Sequence, residues 1–168
     1  VTGNLGDSYL GLKALSNKGK FKNKDKLFFV DKYYKPELPL NLTKYLLKFA
    51  NSSIDVSDGL IDDLEKMINR QSLSFHLFEN KIPVSNKLSN LIKKQSLNKI
   101  NLISNGDDYQ VLFTADINKA RIIQKASKAT GIKITKIGKI VSGKDRSLIF
   151  DEKGKQIRAK SKGYIHRF

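Results

Sequence analysis

The chain has 168 residues and a mass of 19.0 kDa, within the ~100–200 residues of one domain, and carries 32 Lys+Arg against 16 Asp+Glu for a net charge of +16. No apolar run approaches the roughly 18 residues of a bilayer-spanning helix, and the absence of cysteine excludes disulfides, thiolate nucleophiles and Cys-ligated zinc. The charge favours polyanionic partners, whether nucleic acid, an anionic surface or phosphorylated small molecules, and without a signal-peptide pattern the expected compartment is the cytoplasm.

Val1-Thr2-Gly3 reads as the end of a strand, as at the start of an excised domain. The spacing from Asp7 to Leu15 predicts a helix, and the lysine- and asparagine-rich stretch 16–26 predicts a solvated loop. Pro36 and Pro39 bracket a turn before a predicted helix over 41–50, with Leu42, Tyr45, Leu46 and Phe49 on one stripe. Ile54 to Leu60 reads as a strand or turn feeding a helix whose inner face is Leu60, Ile61, Leu64, Met67 and Ile68. Residues 72–79 alternate as a strand, and Ser85 caps a helix with Leu88, Leu91 and Ile92 inward. Asn105-Gly106 marks a turn before a strand over 109–114. Asp116 is expected to cap a helix that buries Ile117, Ala120, Ile123 and Ala126 and stops at Gly131. Strands over roughly 132–141, 146–151 and 156–159 follow, with hairpin signals at Ser142-Gly143 and Lys153-Gly154. There is no internal repeat. The mixture predicts one α+β domain over 1–168, with a mixed, mainly antiparallel sheet covered by helices.

In so basic a chain the acidic clusters need explaining. Asp55 and Asp58 flank Ser57 just before a helix, where capping the free amides would stabilise by about 0.3–1 kcal/mol. If both carboxylates instead enter one cavity, two like charges ~4 Å apart repel by about 4 kcal/mol at an effective dielectric of 20, more than a helix dipole offsets. A hard divalent cation such as magnesium, shared with substrate phosphates, does offset it. On this reading Asp62 and Asp63 lie on the solvated face. Asp107 and Asp108 read as a polar turn, and the small residues from Gly3 to Gly11 read either as a phosphate cradle at a helix start or as close packing. Gly138 to Lys144 fits the start of a P-loop, but Asp145 replaces its Ser/Thr and a strand follows where a helix is required. His76 and His166 fit no metal spacing.

Taken together, Gly3-x-x-Gly6-Asp7-Ser8-x-x-Gly11-Leu12, Asp55-Val56-Ser57-Asp58-Gly59-Leu60 with Asp63-Leu64, Gly106-x-Asp108-Tyr109 and Gly163-Tyr164-x-His166 resemble the C-terminal domain of the thiamine-monophosphate kinases, within the aminoimidazole ribonucleotide synthetase-like superfamily. The resemblance spans essentially the whole chain. It implies a distantly ferredoxin-like domain that works with its own N-terminal ATP- and magnesium-binding, dimerising domain, absent from this chain. It also implies transfer of the ATP γ-phosphoryl group to thiamine monophosphate, Mg2+ as the cofactor, a homodimer when complete, and an inactive fragment. By position, Asp55 and Asp58 would hold magnesium and Ser57 would contact ATP. Asp107, where the family usually has Glu, and Tyr164 would contact the thiamine phosphate. Another phosphoryl acceptor within the superfamily is the first alternative. A basic nucleic-acid-binding module is the second, although no helix-turn-helix, zinc-finger or RNA-binding motif accompanies the lysines.

Overall fold

The computed structural model describes residues 1–16, 21–69 and 71–163. Helix α1 (Asp7–Leu15) packs against α2 (Asn23–Tyr34). The pairing depends on Gly11: a Cβ there would lie 2.2 Å from the Phe29 carbonyl oxygen and 2.7 Å from Tyr33 Cβ, so close packing is the role of this glycine. Helix α2 occupies part of the stretch expected to be loop, and residues 17–20 of that stretch lie outside the described residues. Its apolar residues, Leu27 to Val30, are consecutive rather than helically spaced, and of the helix only Phe29 is buried.

The helix predicted over 41–50 is shorter. A 3-10 turn at Leu40–Leu42 leads into α3 (Thr43–Leu46), and Leu47 beyond it is 95% exposed. The predicted stripe is nonetheless the packed face, since Leu42 and Phe49 are buried in one cluster with Ala126, and Tyr45 and Leu46 pack against it.

Strands β1 (Ser52–Asp55) and β3 (Val111–Thr114) pair antiparallel as a two-stranded sheet. A second sheet has the order β4-β2-β5-β6, with β2 (Leu73–Phe78) antiparallel to β4 (Gly138–Ser142) and parallel to β5 (Leu148–Phe150). Strand β6 (Gln156–Ile157) is antiparallel to β5, so Lys153-Gly154 closes a hairpin as expected. Ser142-Gly143 does not: β4 and β5 lie on opposite sides of β2. The turn straddles the start of β2, where Gly143 N donates to Ser72 O, Ser74 Oγ to Gly143 O and Arg146 N to Ser74 Oγ. The expected strand over 132–141 begins only at Gly138, preceded by a single bridge from Ile134 to Thr2.

Helix α4 (Leu60–Ile68) buries the predicted face, Leu60, Ile61, Leu64, Met67 and Ile68, against Phe75, Leu77 and Ile149 of the larger sheet. Helix α5 (Asn86–Gln95) is capped by Ser85, whose Oγ accepts from Leu88 N, and α6 (Lys99–Ile103) is capped by Asn98. Helix α6 escapes sequence reading because five residues are too few for a periodic stripe, yet Ile100, Leu102 and Ile103 are all buried. Helix α7 (Ala120–Thr130) ends at left-handed Gly131. Asp116 makes no side-chain cap, and Ile117, in a separate 3-10 turn ahead of α7, and Ala120, the first residue of α7, are exposed. Val1 to Gly3 runs between the sheets, bonding Val111 on one side and Lys133 and Thr135 on the other. A groove of about 1090 Å³ continues from Val1 between β3 and β4, floored by Leu64, Met67 and Phe75.

Replacing Gly11 with Ala is expected to destabilise the chain by about 1–3 kcal/mol, since the collision is with backbone and cannot relax by rotamer change. Urea denaturation followed by circular dichroism measures it, and an unchanged midpoint would remove the packing role.

Candidate functional site

The loop Val56–Gly59, between β1 and α4, and the segment Ser104–Gln110, leading into β3, are joined by main-chain hydrogen bonds. Val56 N donates to Gln110 O, Asp107 N to Ser57 O and Tyr109 N to Val56 O, all at 2.8–2.9 Å. Side chains are excluded at the contact: a Cβ on Gly106 would lie 1.6 Å from Ser57 O, and one on Gly59 would lie 2.2 Å from Ser104 O. The approach bends the second segment sharply, with φ of 66° at Asp107 and 51° at Tyr109, conformations costly for residues other than glycine. The two acidic motifs are thereby one place. Asp107 is half-buried, and burial first, then the negative charge of Asp58, raises its pKa above the ordinary range.

At the start of α4, three carboxylates gather. Oxygens of Asp58, Asp62 and Asp63 lie within 4.8 Å of one another. Asp63 is not on the solvated face: it is 1% exposed, and its Oδ2 accepts from Asp58 N at 3.0 Å and Gly59 N at 2.9 Å. It closes the helix start that Gly59, without a side chain, cannot cap. Burial raises its pKa, against the effect of those two amides. Asp62, half-buried, and Asp58 both meet the Lys66 ammonium, at 2.6 and 2.5 Å. These carboxylates hold the lysine pKa above its usual range. Asp55 stands at the exposed end of β1, and half-buried Ser57 lies between the two loops. Tyr164 and His166 lie outside the described residues, but Gly163 rests on the site, with its Cα so placed that a Cβ would meet Asp62 Cβ at 2.5 Å.

The start of α1 is not an empty anion cradle. Its Gly6 and Ser8 amides donate to Asp108 Oδ2 and Oδ1 at 2.7 and 3.4 Å, so the chain's own carboxyl fills the position expected for a phosphate. Asp108 is 4% exposed, and burial pushes its pKa up to about 8 despite those amides. Neighbouring Asp7, bonded to Ser85 Oγ, is raised to about 6 by burial. Sequence reading missed Asp63, Asp108 and Lys66. Spacing offered a signal for the first and third, since Asp63 follows Gly59 by one helical turn and Lys66 follows Asp62 by another. His76 only packs edge-on against Phe150.

No family model matches the chain. It is 35% identical over 171 residues to the thiamine-monophosphate kinase of Buchnera aphidicola subsp. Acyrthosiphon pisum, covering 99% of this chain and 51% of that protein. A thiamine-monophosphate kinase structure from Stenotrophomonas maltophilia superposes with a TM-score of 0.76 at 24% identity, over 94% of this chain and 50% of that one. AaThiL complexed with AMPPCP and TMP superposes with a TM-score of 0.72 at 27% identity, over 98% and 50%. The architecture is therefore the mixed α+β fold of aminoimidazole ribonucleotide synthetase-like proteins. Within that class, the chain resembles thiamine-monophosphate kinase along its whole length, and spans about half the length of the curated relatives it matches.

Burial of Asp108 has a pH consequence. Its folded pKa lies above the unfolded value, so its contribution to stability is complete below about pH 4 and is lost as pH rises toward 8. The Asp108→Asn variant, which cannot ionise, is expected to show a flatter dependence of melting temperature on pH between 4 and 8 than the parent chain. Parallel profiles would mean that Asp108 is already charged in the folded state.

Proposed function

We propose that the chain is the C-terminal domain of a cytoplasmic thiamine-monophosphate kinase, which completes its active site with an N-terminal domain of the same protein and works as a homodimer. The observation that supports this reading most directly is the union of the two acidic motifs, with Asp58 and Asp107 electrostatically coupled across loops locked backbone to backbone. In the reaction a terminal phosphate oxygen of thiamine monophosphate attacks the γ-phosphorus of ATP. The bond from that phosphorus to the β,γ-bridging oxygen breaks, giving thiamine diphosphate and ADP. The attacking oxygen is already anionic, so no protein base or nucleophile is required; positioning and charge neutralisation carry the rate.

In this reading Asp55 and Asp58 hold magnesium, Ser57 contacts ATP, and Asp107 and Tyr164 contact thiamine monophosphate. Asp58 belongs to a group of three carboxylates with Asp62 and Asp63, an all-oxygen donor set that suits a hard cation, and Asp55 is not among them. Bound magnesium would neutralise phosphate charge. The chain's own part is to keep Asp58 and Asp107 at a constant separation through the loop contact, and to keep Asp63 engaged with the helix amides so that Asp58 and Asp62 face outward. Gly163, the last described residue, packs on Asp58 and Asp62.

The test is ATP-dependent formation of thiamine diphosphate by the longer protein containing this chain, with magnesium and with chelator. Product is expected only with the metal, and the 168-residue chain alone is expected to form none. Asp55→Asn and Asp58→Asn are expected to lower the rate by about 100-fold or more with little loss of fold. Full activity in both would leave these aspartates a purely local structural role.

A further inference from the structure

We propose that Asn101 and Asn105 form a hydrogen-bonded relay that ties residues 160–163 to the segment carrying Asp107, and that as positioning residues they set how well Asp107 meets the phosphorylated substrate. The consequence for substrate rests on the reading of Asp107 as a thiamine monophosphate contact; the relay itself rests on geometry. Lys160 N donates to Asn101 Oδ1 at 2.9 Å, and Asn105 Nδ2 donates to the Asn101 carbonyl at 2.6 Å. From the middle of α6, Asn101 thus receives one bond from each segment, on its side chain and on its main chain.

Both ends of the relay reach the acidic site. Beyond Lys160, Lys162 O accepts at 3.0 Å from Asp62 N, one of the first amides of α4, which have no partner within their own helix. The Lys162 ammonium meets both oxygens of Glu65, at 2.8 and 3.1 Å. Gly163 then packs so closely that a Cβ on it would lie 3.0 Å from Asp58 O. At the other end, Asn105 directly precedes Gly106, and the chain turns left-handed at Asp107, with φ of 66°. The Asp107 amide is held on the inner side by Ser57 O, and the Asn105 side chain holds the same turn from the side of α6. Asn105 alone would be a local cap on a free carbonyl of a short helix. The Asn101 side chain makes the connection tertiary, because its donor lies 59 residues away. Both side chains are neutral, so the relay braces the site without adding to the negative charge of Asp58 and Asp107.

The test is steady-state kinetics of the longer protein containing this chain, for the parent, Asn105→Ala, Asn101→Ala, Asn101→Asp and the double alanine variant. Each alanine removes one neutral hydrogen bond, whose ordinary net worth corresponds to about two- to tenfold in an equilibrium. The KM for thiamine monophosphate is expected to rise by that factor in both alanine variants, with kcat and the KM for ATP unchanged. Asn101→Asp, which keeps an accepting oxygen, is expected to restore the parent KM. Because the two bonds act in series, the double variant is expected to be no worse than the more impaired single one. An unchanged KM for thiamine monophosphate in both alanine variants would overturn the proposal, as would kcat and both KM values changing together, or two effects that multiply in the double variant. Hydrogen exchange of the 168-residue chain separates the relay from the kinase reading. Asn105→Ala is expected to speed exchange of the Asp107 amide by about two- to tenfold and to leave the Leu64 amide inside α4 at the parent rate. Asn101→Ala is expected to do the same from the other end, which keeps the relay testable should Asn105→Ala not fold. Faster exchange with no phosphoryl transfer by the parent protein removes the kinase and keeps the relay; phosphoryl transfer with unchanged exchange in both variants does the reverse.

Discussion

A short main-chain seam carries the rest of the molecule's functional geometry. Asp107 N to Ser57 O and Tyr109 N to Val56 O, with Val56 N to Gln110 O beside them, bind the loop after β1 to the segment before β3 more closely than side-chain packing could. Gly59 and Gly106 make that approach possible, each with a carbonyl oxygen where a Cβ would stand. The left-handed backbone at Asp107 and Tyr109 costs on the order of 1–2 kcal/mol per residue. The hydrogen bonds offset part of it, and the buried Asp108 between them is anchored to the amides of α1. One turn of chain thus sends Asp108 inward to hold the fold and leaves Asp107 beside Asp58.

The electrostatics follow from that arrangement. The chain is strongly basic, yet three of its sixteen acids gather at the start of α4. Asp108 avoids the penalty of burial by having its ionisation displaced toward the basic side of neutrality, so it accepts from the helix amides at reduced charge. Asp58 and Asp62 instead meet the Lys66 ammonium. The helix start that looked available for phosphate is closed from within, by a carboxyl of the chain itself.

Much of this is legible in the sequence, and the failures have physical causes. The inner face of α4, the Ser85 cap and the Gly131 stop are read correctly because periodicity and capping are local. The α+β class follows from the mixture of periods. Helix α2 is missed because its apolar residues are consecutive, and α6 because it is one short turn and a half. The turn at Ser142-Gly143 has hairpin chemistry, but its partner strand is displaced by β2, a tertiary choice that local residues do not encode. At the site, Asp55, Ser57, Asp58 and Asp107 are visible as motifs. Which acid holds backbone and which faces outward is less so: Asp63 is held by amides four and five residues away, a spacing that can be read, but Asp108 is held by amides about a hundred residues away.

That division is what separates a site from a structural cluster. Gly59, Gly106 and Gly163 pack against Ser104, Ser57 and Asp62 by main chain or Cα alone, so the convergence of three segments is achieved with no functional side chain spent on it. Asp63 and Asp108 direct their carboxyls to amides and belong to the scaffold. Asp107 contributes its amide to the seam rather than its carboxylate, and Asp58 and Asp62 meet a lysine that is half in water. The path of the backbone fixes the seam. The side chains that the seam positions but does not use are, on this chain, carboxylates, two of them meeting the Lys66 ammonium.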